Sequence, residues 1–477
     1  MKDFLEFNIM TSQSFEGLLN SSRGTVERMQ NLEIGTNFWS AVPDEFTHWI
    51  EEQRAAHETC IFADQSFHMV DVYLEGPDII NLLSDIGVNS FENFRNGTPP
   101  QAKQLVACNP DGYLIGDSIL FYLEEETYLS VGHWNLQNWI LYNLETGAYD
   151  ATARVADDPI TEGPIEAGRS YPPHHGPPTD FRFEIQGPNA LKVMDKVTDH
   201  PLPTLSFFQM NTITIDGVEV YVLAHGMSSI PGWEIFGPYE HHEEIKATIF
   251  DAGGEYGLRH VGRKSYLSGT VPTGWFPVLI PAIYEREDLK GYRKWLDTDC
   301  YEANLGLNGS YDSLDIQDYY LDPYDVSYDH VVSFDHEFVG REALETRKDK
   351  PKRTRVTYVW DDNDVLDVFG SLFETGDTYK MFDLPAGHNS KWESRFDKVT
   401  VGNDVVGLSK WSGYDYKQRE FLSVGVIDVE HSEPGTEVSI TWGDLNTDKS
   451  HIEHHVQKEM RAAVAPSPYF DEGRKDM

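Results

Sequence analysis

Sulfur is scarce in this chain: 477 residues carry three cysteines, Cys60, Cys108 and Cys300. They lie far apart and make no CxxC or other metal-ligand spacing, so neither a disulfide framework nor a zinc cluster is expected, and buried thiols in a reducing compartment are. Long apolar runs are also missing. The longest, FPVLIPAI at 276–283, is too short and too proline-rich to cross a bilayer. The first residues, MKDFLEFNIMTSQSF, lack the basic start and apolar stretch of a secretory leader. A cytoplasmic protein is the expectation. Basic residues are the third scarcity, with 38 Lys+Arg against 79 Asp+Glu and a formal charge of −41 at pH 7. That field repels nucleic acid and anionic membranes, which are set aside as partners. The acids are dispersed through the chain, as on a solvated acidic surface of the kind a saline habitat favours. There is no GxxxxGK[ST] loop, no GxGxxG after a strand, no GxSxG elbow and no HExxH.

What is present is ample core. Hydrophobic residues make up 40% and aromatics 13%, too apolar for a disordered chain. At roughly 150 residues per domain the length suggests about three domains. Helical spacing is expected in SQSFEGLLNSSRGTVERM and across Asp44–His57, after Pro43. HMVDVYLEGPDIINLLSDI reads as strand, Gly76-Pro77 turn and helix; FRFEIQGPNALKVMDKV at 181–197 repeats that grammar around Gly187-Pro188. A strand pair and another helix follow each copy, which points to a weak internal duplication and two α+β lobes. A further helix start stands at FVGREALETRK, 338–348. Beyond Pro351, short alternating segments (TRVTYVWD, VTVGNDVVGLSKWSGYD, FLSVGVIDVEH, TEVSITWGD) predict a small antiparallel barrel or sandwich. The tail after Ala462 is expected to run over the surface.

Histidines cluster at His174-His175, His241-His242 and His451…His454-His455, without carboxylates at ligand spacing. They read as surface histidines, so no metal is expected. HHEEI reads as the first turn of a helix, where carboxylates suit the dipole. Three segments stand out from packing and turns. In DQSFHMVDV (64–72), Gln65 and His68 precede a core strand; His68 suits an interior histidine as well as a functional one. In AHGMSSIPGWEIFGPY (224–239), Glu234 sits between Trp233 and Ile235. Pointing outward it is solvated; pointing inward it needs donors, which is how a ligand-binding acid is made. YGLRHVGRKSYLSGTVPTGW (256–275) is rich in Arg, Tyr and hydroxyls, the composition of a pocket wall.

The paired Gly-Pro helix starts, GWEIFGPYE, GLRHVG and FVGREAL resemble the glycine-cleavage T-protein family of tetrahydrofolate-dependent enzymes, over most of the chain. DQSFHM, YEANLGLNGSYDSLDIQDYYLDPYD (301–325), VSFDHEFVGREALE and APSPYFD are similar to its aryl-ether demethylase branch, the vanillate/3-O-methylgallate and syringate O-demethylases. The resemblance implies an α+β fold, a three-domain cloverleaf around a folate channel. Residues 1–180 and 181–350 would form two interleaved lobes, and 351–477 a C-terminal antiparallel β-barrel. It implies that Glu234 hydrogen-bonds the pterin with Trp275 beside it, that Tyr266 is the catalytic hydroxyl, and that Gln65 and His68 line the methyl-donor pocket. Arg259, Arg263 and Lys264 are the cations expected to offset an anionic cofactor. Two places depart from the branch pattern. His133 stands in LSVGHW where an arginine pairs a substrate carboxylate, and Asn37 and Trp39 stand where tyrosines are expected. A neutral His133 binds a carboxylate more weakly than a bidentate arginine, which puts vanillate itself in question.

The activity implied is methyl transfer from a small donor, first among them a methoxylated aromatic, to N5 of tetrahydrofolate. Such a displacement needs close alignment of methyl and N5, and a donor for the departing oxygen. A tyrosine, with an ordinary pKa of about 10, matches a phenol leaving group. The alternatives are an aminomethyltransferase working with a lipoyl carrier, an S- or N-demethylase of a small methylated osmolyte, and a folate-binding protein without catalysis. No oligomeric state is read from the sequence.

Overall fold

The computed structural model describes residues 14–32, 42–92, 94, 101–156, 178–226, 232–277, 279–387 and 393–469. Among them no helix is long and apolar enough to cross a membrane.

Eleven strands build two sheets: β1 (Cys60–Asp64), β2 (Val70–Glu75), β3 (Lys103–Cys108), β4 (Leu114–Glu124), β5 (Thr127–Gly132), β6 (Thr152–Val155), β7 (Asp180–Gln186), β8 (Met210–Ile215), β9 (Val218–Ala224), β10 (Gly232–Pro238) and β11 (Leu258–His260). One sheet is ordered β3-β4-β5-β2-β6, the other β8-β9-β10-β7-β1-β11. The shared order makes the duplication visible, with β7 standing where β2 does and β10 where β5 does. Each sheet borrows a strand across the duplication: β6, just before β7, pairs with β2, and β1, just before β2, pairs with β7. The lobes are therefore interleaved. Gly76 and Gly187 turn each copy from strand to helix at φ +133° and +120°. A Cβ would lie 2.6 Å from Asp150 O at the first and 2.7 Å from Thr59 O at the second, so both turns require glycine.

Strand alternation then decides where the site lies. On β7, Phe181, Phe183 and Ile185 pack with Val193, Ile245 and Ile249 of the helices Ala190–Val197 and His242–Gly253. Arg182, Glu184 and Gln186 take the opposite face and are buried as well. On β10, Trp233 and Ile235 join the apolar side, and Glu234 the polar one. This sheet has an apolar face under helices and a buried polar face turned into the molecule.

The remaining strands are β12 (Gly306–Asn308), β13 (Arg353–Trp360), β14 (Glu393–Arg395), β15 (Asp397–Val401), β16 (Asp404–Asp415), β17 (Glu420–Asp428), β18 (Glu437–Trp442) and β19 (Lys458–Ala465). β12 and β14 pair in parallel; the others close a barrel ordered β13-β17-β16-β15-β18-β19. Here the expected surface tail is corrected. β19 runs on to Ala465, pairs with both β13 and β18, and buries Val464 at 3% exposure, so it closes the barrel. Its alanines, small and without β-branching, hide the strand signal.

Other boundaries shift for local reasons. The helix expected from Asp44 begins at Trp49, because Glu52 Oε1 accepts the Phe46 and Thr47 amides at 2.8 and 2.9 Å and holds them in a turn. The first helical stretch divides into Phe15–Ser21 and Thr25–Gln30 around Gly24. Glu243 and Glu244 do occupy the first turn of a helix. His242 and His455, expected on the surface, are buried at 6% and 5% exposure; His174-His175 lie outside the described residues. The three thiols are free and buried.

Candidate active site

A cavity of about 820 Å³ opens where the polar face of the second sheet, the ends of β4 and β5, the loop after β1, the helix Arg263–Gly269 and β13 converge. Gln65, His68, His133, Glu234, Tyr266 and Trp275, scattered over the sequence, all line it.

Glu234 points inward. Its Oε1 accepts from Arg182 Nη1 at 2.7 Å, and its Oε2 lies 3.7 Å from His225 Nδ1. Arg182 also binds Asp71 through Nη2 at 3.0 Å and lies over the rings of Phe121 and Phe236. Burial opposes the guanidinium charge, but the two carboxylates outweigh it and raise its pKa. Glu234 is thus a buried carboxylate held by one cation at the cavity wall.

Tyr266 follows one turn into its helix. Gln65 Nε2 donates to Tyr266 Oη at 2.8 Å and to Glu184 Oε2 at 2.6 Å, while Gln186 donates to Glu184 Oε1. A carboxylate only accepts, so Glu184 fixes which end of the Gln65 amide faces it. His68 meets the Tyr266 ring edge-on with centroids 5.0 Å apart. Burial, then the charges of Glu184 and Glu234, push the phenol well above its ordinary value, against the Gln65 hydrogen bond. Tyr266 therefore keeps its proton.

Trp275 lies half-buried on the wall, beside Gly274, whose carbonyl accepts from Arg355 Nη1 at 2.8 Å. His133 caps the helix Trp134–Thr146 and stacks on Tyr301 with centroids 6.2 Å apart. Burial lowers its pKa to about 4, so its imidazole is neutral near pH 7.

Arg259 and Arg263 do not line this cavity. Arg259 takes the outward position of β11, between the inward Leu258 and His260. Arg263 is ion-paired to Asp44, and Lys264 Nζ reaches Asp383 at 3.8 Å. Neighbourhood in sequence to Tyr266 does not bring these residues into the cavity lining. Trp39 and Asn37 lie outside the described residues. Sequence reasoning missed Arg182 in the wall, Glu184 behind Gln65, and Asp117 and Arg355 in the wall. The signal for the first two was FRFEIQ, whose polar positions match the phase of Glu234.

Residues 179–270 match the GCVT N-terminal domain. Over 460 residues the chain is 36% identical to syringate O-demethylase of Sphingobium sp. (strain NBRC 103272 / SYK-6), covering 96% of both chains. It is 27% identical to sesamin methylene transferase of Sinomonas sp. (strain No.22), covering 90% of each. The crystal structure of the glycine cleavage system aminomethyltransferase T from Bartonella henselae superposes with a TM-score of 0.58 at 15% identity, over 89% of this chain and 90% of that one. That structure supports the fold.

Proposed function

The chain belongs to the glycine-cleavage T-protein family, and from that premise we propose that it is a tetrahydrofolate-dependent O-demethylase. Its substrate is a small methoxylated aromatic, its products the phenol and 5-methyltetrahydrofolate, and its place of work the cytoplasm. One observation carries the reading: a protonated Tyr266 clamped by Gln65 stands in the same cavity wall as the Arg182–Glu234 pair.

The residues present suit the cofactor. A pterin offers adjacent ring N–H donors, and Glu234 offers a buried carboxylate whose Oε2 stands near His225. Trp275, Phe207 and Phe208 give the cavity flat apolar faces. The volume of about 820 Å³ suits a cofactor and a small aromatic together. Bound tetrahydrofolate supplies the nucleophilic N5 that receives the methyl group.

The chain's own residues do the rest. Arg182 holds Glu234 in place at the cavity wall through its Oε1. Gln65 donates to the Tyr266 oxygen, so the phenol proton is directed away from Gln65 and toward the aryl oxygen as charge grows there. Glu184 holds Gln65 in the orientation that makes this possible. His68, edge-on to the Tyr266 ring, limits its tilt.

The test is incubation with tetrahydrofolate and a panel of aryl methyl ethers, following 5-methyltetrahydrofolate and the phenol together. Failure of every ether, with ammonia released instead from an aminomethylated lipoyl carrier, would replace this reading with the aminomethyltransferase one.

A further inference from the structure

We propose that the methyl donor is an uncharged methoxyphenol without a carboxylate, held by its free hydroxyl on Asp117 Oδ1 and lodged against His133. This rests on the O-demethylase reading and names the substrate class of the same site.

The end of the cavity formed by β4 and β5 is built from an acceptor and a neutral ring. Ser118 and Gly132 are direct cross-strand partners, so Asp117 and His133, each one residue along, come to the same end of the sheet. Both line the main cavity, and both line a small side pocket with Asn135, Trp275 and Tyr301. Asp117 Oδ2 accepts from Gln104 Nε2 at 2.7 Å and from Tyr328 Oη at 3.1 Å. Among the described residues, no side chain donates to Oδ1. Burial raises the Asp117 pKa, against these two bonds and one from its own backbone amide; since no described side chain reaches Oδ1, that oxygen is the one open to a ligand hydroxyl.

A hydroxyl donating to a fixed carboxylate makes a charge-assisted hydrogen bond, roughly twice as strong as a neutral one. A ligand carboxylate in the same place meets like charge in a desolvated site. The imidazole of His133, uncharged near pH 7, does not offset that. Each cation of the wall has a partner in the protein, carboxylates for Arg182 and, for Lys103 and Arg355, neutral carbonyls that leave the charge in place. Arg182 serves Asp71 and Glu234, Lys103 Nζ donates to Ser90 O at 2.6 Å, and Arg355 donates to Gly274 O. Gln104 and Tyr328, the donors that hold Asp117, are uncharged themselves; burial keeps Tyr328 a phenol.

The experiment is titration calorimetry on the full chain with two probes that differ by one carboxylate, 2-methoxyphenol and 4-hydroxy-3-methoxybenzoate. We expect 2-methoxyphenol to bind at least about tenfold more tightly. Asp117→Asn is close to isosteric and should reduce that preference while leaving tetrahydrofolate affinity unchanged. His133→Arg should strengthen binding of the benzoate. Equal or tighter binding of the benzoate by the unaltered protein overturns the proposal, as does binding of neither probe. A benzoate preference that disappears in Arg355→Leu would move the anchor to Arg355. Transfer assays run beside the titrations separate the two readings. Tight 2-methoxyphenol binding without methyl transfer counts against O-demethylation. Transfer with the benzoate preferred counts against the substrate class.

Discussion

Glu234 and Glu184 face each other as direct register partners across β10 and β7. Two carboxylates opposite one another in an antiparallel pair repel. Here each is drawn to a different set of donors: Glu234 to Arg182, and Glu184 to Gln65 and Gln186. The cross-strand pair therefore divides into a carboxylate at the cavity wall and a second that holds Gln65 against Tyr266. Both also raise the Tyr266 pKa, so one pair of acids lies behind the protonation of that phenol.

Replacing Glu234 tests the first half of that division. In Glu234→Ala, tetrahydrofolate loses a charged acceptor, worth about 1.5–3 kcal/mol, and affinity should fall about 10- to 150-fold. Arg182 keeps Asp71, so the sheet should still form, with a lower melting temperature. Tetrahydrofolate titration of the variant reads this directly. Unchanged affinity would remove Glu234 from the cofactor site.

Tyr266→Phe tests the second half. It leaves ring packing intact and removes the proton donor, so kcat should drop about 10²- to 10³-fold with little change in cofactor affinity. The pH profile sharpens the point. Because burial and two carboxylates raise the phenol's pKa, its proton stays in place throughout the range below its ordinary value. The wild-type rate should show no alkaline fall from Tyr266 up to about pH 10. A basic limb near pH 8 that vanishes in Tyr266→Phe contradicts this assignment.

Acid should loosen the fold before it protonates most carboxylates. Burial, with Lys417 helping at His57 and Lys246 at His260, holds His57, His133 and His260 at pKa values of about 4. Unfolded histidine titrates near 6.5, so between that value and about 4 the unfolded chain binds more protons than the folded one. Stability from these three residues is complete above pH 6.5 and is lost as pH falls toward 4. Denaturant midpoints across that window should decline with falling pH, and His133→Asn should flatten the decline. Parallel curves for the variant and the parent would show that His133 does not contribute.

The Gly-Pro starts of both lobes, the barrel after Pro351 and six residues that line the cavity were legible in the sequence, because each carries a local signature: a turn, an alternation, an unusual acid or phenol. What was not legible depends on which face of a strand is covered. FRFEIQ alternates in the same way whether its polar side meets water or a cavity, so Arg182 and Glu184 gave no signal of their own. Asp117 sits mid-strand in LIGDSILFYLE, where the acid looks solvated until the second lobe closes over it. Arg259 and Arg263 show the reverse: near Tyr266 along the chain, neither lines the cavity. Strand phase turns Arg259 outward, and Arg263 is drawn to Asp44.

Salt gives the sign of the long-range field. At −41 the folded chain repels itself and repels an anionic cofactor. The nearby cations Arg263 and Lys264 are turned to Asp44 and Asp383, and Arg182 serves two acids of its own. Raising salt from about 0.05 M to about 0.5 M shortens the screening length from ~14 Å to ~4 Å. The melting temperature should rise, and the KM for tetrahydrofolate should fall as encounter with the acidic surface becomes easier. A basic folate site would respond in the opposite sense, with KM rising as salt screens the attraction. A KM that climbs with salt would therefore show that a local positive field, and not the acidic surface, governs cofactor entry.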